Sequence, residues 1–328
     1  MKPGTAATTG RRALLASGAG LPFAATAQQD YPNRPVRLIS INAAGGMVDA
    51  MLRMLAERMS ADLGQPVLVE NRPGANGLIA AEATLRAAPD GYAILVANGT
   101  TFTVVPWLQR QLPYDPLGSF SPIGRVLISG AVLAGPGDAP FSDLPGLKAW
   151  AQRRGERLTY GSWGIGSGAH LFGEVLHKQH GIPLEHVPYR GEQAALTDLI
   201  AGRVALTFCT AFGAKPFAGA GSLKPLGVTG SQRSPIFPDL HTFREQGVAG
   251  CDLDIFAGAW GPPGLPRAIV DRANAALRAA LGDRAAQARM REVGQAPAPS
   301  SPEELTAIIA GETPQWRALI ELAGVQPS

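Results

Sequence analysis

Ile39-Ser40-Ile41-Asn42-Ala43-Ala44-Gly45-Gly46-Met47-Val48-Asp49 holds the end of a strand, a turn of small residues and the start of a helix. Arg37 to Ile41 has the apolar run of a short strand, and Ala44-Gly45-Gly46 is the turn. From Asp49 onward Met51, Leu52, Leu55 and Met59 recur at helical spacing. A strand that turns through glycines into a helix N-terminus is an anion-binding arrangement. The first N–H groups of a helix lack intrahelical partners, the positive end of the dipole lies there, and glycine lets an anion approach the backbone. The turn therefore reads as half of a small-acid site, or as an ordinary βα turn of an α/β domain.

Working outward, strands and helices alternate. Val67 to Glu70 reads as a strand, Leu78 to Ala87 as a helix and Ala93 to Ala97 as a strand ending in Asn98-Gly99-Thr100-Thr101. Such alternation predicts a doubly wound, mostly parallel sheet, with ligands beyond the carboxyl ends of its strands. The apolar run Val126 to Ala134 reads as the crossing into a second domain. There the series repeats: strand Leu158–Tyr160, the turn Gly161 to His170, helix Leu171–His180, strand Glu185–Tyr189, helix Gln193–Ala201, and strand Val204–Phe208 ending at Cys209. Leu253 to Trp260 reads as the return to the first domain, followed by helices from Ala268, Arg284, Ser301 and Thr313. The expected organisation is residues 28–127 plus 253–328 as lobe 1 and 128–252 as lobe 2.

The first 27 residues read as a secretory signal peptide. Lys2, Arg11 and Arg12 form its basic start, Ala13 to Ala25 its apolar segment, and Ala25-Thr26-Ala27 a cleavage site after Ala27. Arg11-Arg12 leaves both the Sec and the twin-arginine route open. Of 328 residues 45% are hydrophobic and 17% charged, enough for a sizeable core. Three of the 29 bases and none of the 26 acids lie in the leader, so the remaining chain has no formal net charge. With no basic run, nucleic acid is not an expected partner.

No catalytic constellation stands out. Gly164, Gly166 and Ala169 fit G-x-G-x-x-A, but the next strand ends Pro188-Tyr189-Arg190 where a ribose-binding acid belongs. A loop donating N–H and hydroxyl hydrogens to an anion is the better reading. Ser162 and Ser167 are not centred in G-x-S-x-G, and His177 and His180 lack a completing acid. Neither a metal nor a cofactor is expected. Cys209 and Cys251 fit no metal spacing, and a disulfide between them is left open.

Several motifs together carry a resemblance. They are Pro35-Val36-Arg37-Leu38-Ile39, Ala44-Gly45-Gly46 with Asp49, Asn71-Arg72-Pro73-Gly74-Ala75, Pro89-Asp90-Gly91-Tyr92, Leu112-Pro113-Tyr114-Asp115-Pro116, Tyr160-Gly161-Ser162, His186-Val187-Pro188-Tyr189-Arg190-Gly191 and Pro238-Asp239-Leu240. With them the chain resembles the periplasmic receptors of tripartite tricarboxylate transporters, the Bug proteins, over nearly all of its mature length. The resemblance implies a two-lobed, type II periplasmic-binding-protein fold. It implies a non-catalytic monomer that closes on a small organic acid and delivers it to membrane permease subunits. It places around the cleft Asn42, Ala43, Ala44, Gly45, Gly46, Met47, Val48, Asp49, Asn98, Thr100 and Thr101 of lobe 1. From lobe 2 it places Ser162, Trp163, Gly166, Ser167, Gly168, His170, Tyr189, Arg190, Gly191 and Cys209 there. An enzyme on the same fold using His170 or Cys209, and a receptor feeding a sensor, are the alternatives.

The departures from the family pattern bear on the ligand. Where the family reads F-P-A-G-G-S-T-D, Met47 and Val48 replace both hydroxyls; Gly168 replaces a third, and Cys209 stands where an Asp is usual. A hydrogen bond to a charged group is worth about 1.5–3 kcal/mol. The expected ligand is therefore less polar than a tricarboxylate, an aromatic or branched monocarboxylate.

Overall fold

The computed structural model describes residues 1, 4 and 31–327, so the leader read over residues 1–27 lies almost wholly outside the described residues. The elements run β1 (Val36–Ser40), α1 (Met47–Leu63), β2 (Val67–Asn71), α2 (Leu78–Leu85), β3 (Ala93–Asn98), α3 (Thr100–Thr103), α4 (Val105–Leu108) and β4 (Ser121–Ser129). Next come β5 (Ala131–Pro136), α5 (Leu144–Arg154), β6 (Leu158–Ser162), α6 (Gly168–Lys178), β7 (Leu184–Pro188), α7 (Glu192–Ile200), β8 (Leu206–Thr210), α8 (Ala211–Gly219) and β9 (Leu223–Val228). The chain closes with β10 (Ile255–Gly261), α9 (Arg267–Gly282), α10 (Arg284–Glu292), β11 (Ala296–Pro297) and α11 (Pro302–Ala323).

Two sheets form, ordered β11-β4-β10-β3-β1-β2 and β7-β6-β8-β5-β9. The helix-linked strands β1, β2 and β3 are parallel, as are β6, β7 and β8, because a helix returns the chain to the same end of the sheet. In each sheet one strand arrives from the other lobe and runs against its neighbours: β10 between β3 and β4, and β5 between β8 and β9. The result is the two-lobed α/β architecture of a binding protein.

The apolar run at the first crossing is shared between β4 and β5, divided at Gly130. A Cβ there would lie 2.2 Å from the Thr229 carbonyl oxygen. The two crossings pass that closely, and Ala131 N–H donates to Thr229 Oγ1 at 2.9 Å.

The C-terminus departs from the expectation of two helices. Ser301 caps α11 through a reciprocal box with Glu304, and the helix runs unbroken through Pro314. Proline removes the N–H that would bond residue 310, while Thr313 Oγ1 donates to the Ile309 carbonyl at 2.6 Å. Burial holds both halves. Leu305 and Ile309 pack with Phe102 and Trp260 in the first lobe, whereas Trp316, Leu319 and Ile320 pack with Phe172 and Val175 in the second. Helices α4 and α8 were also not foreseen; Pro106 and Pro216 lie inside them.

Candidate functional site

In the first lobe the site begins where β1 ends. Gly45 has φ +81°, a left-handed conformation that glycine adopts without a Cβ penalty. Helix α1 starts at Met47, two residues before the expected Asp49, because Gly46 is the N-cap and Asp49 turns back over the turn. The Asp49 carboxylate accepts from Gly45 N–H at 2.9 Å, Arg53 Nε at 2.9 Å and Asn71 Nδ2 at 2.9 Å. The Arg53 bond above all, then Gly45 and Asn71, hold its pKa down at about 2. Asp49 therefore builds the turn, and Asn71 extends the brace to the Asn42 carbonyl at 3.0 Å. No side chain caps α1, so its first N–H groups stay open at the positive end of a 17-residue helix. Ala43, Ala44, Gly45 and Gly46 are exposed beside it, with Met47 and Val48 half-buried.

Asn98 ends β3 and Thr100 opens α3, both half-buried. Thr101 is buried and donates to the Asn76 carbonyl at 3.0 Å, which joins this strand end to the loop after β2.

In the second lobe β6 ends at buried Ser162, whose Oγ lies 2.6 Å from His186 Nε2. His186 stacks on His170 with ring centroids 3.9 Å apart. His170 Nδ1 accepts from Gly166 N–H at 3.1 Å, which requires that nitrogen to be unprotonated. Burial lowers the pKa of both rings, that of His186 to about 4 with His170 adding to the effect. The glycine turn thus rests on a neutral histidine pair. Ser167 caps α6 by accepting from His170 N–H at 3.3 Å, so the helix opens at Gly168, three residues before Leu171. Trp163 donates its indole N–H to the Phe208 carbonyl at 3.1 Å.

Strand β7 leads to Tyr189, which donates its hydroxyl to Asp198 at 2.8 Å. Gly191, at φ +115°, is the N-cap of α7, again with no capping side chain. Arg190 is exposed, and no ion pair to it occurs among the described residues. Cys209 departs from the expected cleft position. Its side chain points into the core with Val132 and Leu196, and burial pushes its thiol pKa well up. Cys251 is likewise a free, buried thiol, in another cluster. Among the described residues no group of three or more His, Cys, Asp or Glu could hold a metal ion.

The second-lobe turn touches α4, which follows β3 of the first sheet. A Cβ on Gly166 would lie 2.5 Å from Leu108 Cδ1, so the second-lobe turn packs on α4, close in sequence to Asn98–Thr101. Sequence reasoning did not assign Asn71, His186, Glu192 or Thr210 to the site. Asn71 and His186 sit inside the motifs that carried the resemblance, and that was the available signal.

Two α/β lobes, each with a glycine turn ahead of a helix N-terminus, define a two-lobed solute-binding protein of the type II periplasmic kind. A family model described as the tripartite tricarboxylate transporter family receptor matches residues 51–325, and the chain belongs to that family. A UPF0065 protein of Bordetella pertussis is 33% identical over 95% of this chain and 97% of its own. The periplasmic binding protein BugD superposes with a TM-score of 0.76 at 35% identity, over 91% of this chain and 100% of its own. Rpa4515 of R. palustris, solved with adipate, superposes with a TM-score of 0.79 at 31% identity over 91% and 100%. These relationships make the chain a receptor rather than an enzyme, and a periplasmic one.

Proposed function

We propose that this chain is the exported receptor of a tripartite tricarboxylate-type transporter, and that it holds the carboxylate of a small organic acid between its lobes. The observation that carries the reading is that each lobe has a glycine turn leading into a helix N-terminus, uncapped in α1 and capped only by Ser167 in α6, with the second turn packed on α4. Rpa4515 was solved with adipate and MatC of R. palustris with bound malate, at 31% and 28% identity. In this reading the residues around the ligand are those from Asn42 to Val48, Asn98 and Thr100, Ser162 to Gly168 and Tyr189 to Gly191, while Asp49, Thr101 and His170 support them. Lobe 1 (28–127 with 253–328) and lobe 2 (128–252) close about the crossings, and the loaded receptor passes its acid to the permease subunits.

The test is thermal stability of the mature protein against a panel of mono-, di- and tricarboxylates. A ligand at 100 times its Kd adds about 2.7 kcal/mol. A shift by an acid recovered unchanged supports the reading. Shifts only by neutral or cationic compounds, or none, refute it.

A further inference from the structure

Three helices start at the carboxyl ends of the parallel strands of the second lobe: α6 after β6, α7 after β7 and α8 after β8. The N-terminus of α8 already holds an anion, supplied by the chain itself. Glu192 Oε2 accepts from Thr210 N–H at 2.8 Å, and Oε1 from Thr210 Oγ1 at 2.9 Å. Thr210 is the N-cap of α8 and accepts in turn from Gly213 N–H at 3.0 Å. The carboxylate lies so close over this first turn that a Cβ on Gly213 would be 1.8 Å from Oε1. Burial raises the Glu192 pKa, partly opposed by the Thr210 hydrogen bonds. No base pairs with Glu192 among the described residues: Arg203 is bound to Asp198, and Arg190 is exposed and separate.

Glu192 is also the first residue of α7, next to the open N-cap Gly191. An acid seated on α6 or α7 therefore shares its surroundings with a fixed, partly buried negative group. A second carboxylate on the same molecule would meet that group across a medium of lowered dielectric. Two large apolar side chains stand exposed at the same strand ends. Ile165, 64% exposed, follows β6, and Phe212, 44% exposed, follows β8, the strand beside it.

We propose that Glu192 is a specificity determinant that makes this receptor select monocarboxylates with an apolar body, received by Ile165 and Phe212, over dicarboxylates of the same length. The inference rests on the carboxylate-receptor reading above and adds the class of acid and the residue that sets it.

Matched pairs test it: hexanoate against adipate and benzoate against terephthalate, titrated calorimetrically into the wild type, Glu192→Gln and Glu192→Ala. The glutamine variant keeps an acceptor for Thr210, and the alanine variant removes the charge by a second route; melting curves report that each is folded. In the wild type at least one monoacid binds more tightly than its diacid. Loss of the charge narrows that preference about tenfold, mainly by tightening the diacid. A diacid preferred in the wild type, no binding by either monoacid, or an unchanged ratio in the folded variants overturns the inference. The receptor reading itself falls only if no acid of the wider panel binds.

Discussion

Glu312 lies on α11 between Ile309, in the core of the first lobe, and Trp316, in the core of the second. Its carboxylate accepts from Trp316 Nε1 at 3.3 Å. Burial above all raises its pKa from 4.5 to about 7; the Trp316 bond and Arg125 on β4 oppose the shift, and Asp254, ahead of β10, adds to it. Between these two values the folded protein holds a proton that the unfolded chain has lost. Stability falls as pH rises through this window, because the native state binds more protons. At 1.36 kcal/mol per pKa unit the difference corresponds to about 3.4 kcal/mol. The side chain is only part-buried, and solvent screening reduces this to about 1–2 kcal/mol.

Glu312→Gln removes the charge and keeps an oxygen for the Trp316 N–H. Urea unfolding of wild type and variant at pH 5 and pH 8 gives the comparison. The variant gains about 1–2 kcal/mol over the wild type between pH 5 and pH 8. Groups remote from Glu312 titrate equally in both proteins and cancel in the difference. Stability curves that stay parallel across this range refute the argument, since a residue ionised throughout both states would give that result.

Asp49→Ala leaves Gly45 N–H, Arg53 and Asn71 without their common acceptor; it costs about 2–3 kcal/mol in chemical unfolding and loosens acid binding in titration calorimetry. The His186 pKa, lowered by burial and by His170 to about 4, gives the opposite pH dependence to Glu312. Its contribution is complete above 6.5 and is lost as pH falls towards 4, about 1–2 kcal/mol after screening, and His186→Gln flattens that acid limb of the stability curve. Gly166→Ala puts a Cβ at φ +75° and 2.5 Å from Leu108 Cδ1; differential scanning calorimetry shows a loss of about 1–3 kcal/mol, and an unchanged Tm refutes the packing of that turn on α4.

What could be read from the chain and what could not divide along the range of the interactions. The β1-turn-α1 unit was legible because its signals are local: an apolar strand, glycines, then apolar residues at helical spacing. Its start was misplaced by two residues because Asp49, an ordinary helix-opening residue, reaches back to Gly45 while Gly46 takes the cap. The second glycine turn was legible for the same reason, but not the His170–His186 stack beneath it, which joins residues from α6 and β7. Cys209 was misread because a strand's last residues alternate between faces; register with Val132 turns its side chain into the core, and Thr210 meets Glu192 instead.

The largest departure, the continuous α11, follows from packing that no local pattern reports. Pro314 is a breaker by its own chemistry, yet the segments on either side are anchored in different lobes, and ending the helix would expose Trp316, which is 1% accessible. Fully burying such a side chain is worth several kcal/mol, comparable to the cost of a proline in a helix. The same balance bears on motion. The crossing at Gly130, the crossing from Val228 to Ile255 and α11 all join the lobes. Any change in the angle between the lobes must pass through α11 as well as the two crossings. Between Gly311 and Pro314 the helix has one residue without a side chain and one without a backbone donor. Glu312 stands in that stretch, so the residue whose deprotonation lowers stability lies in the part of α11 that spans the two lobes.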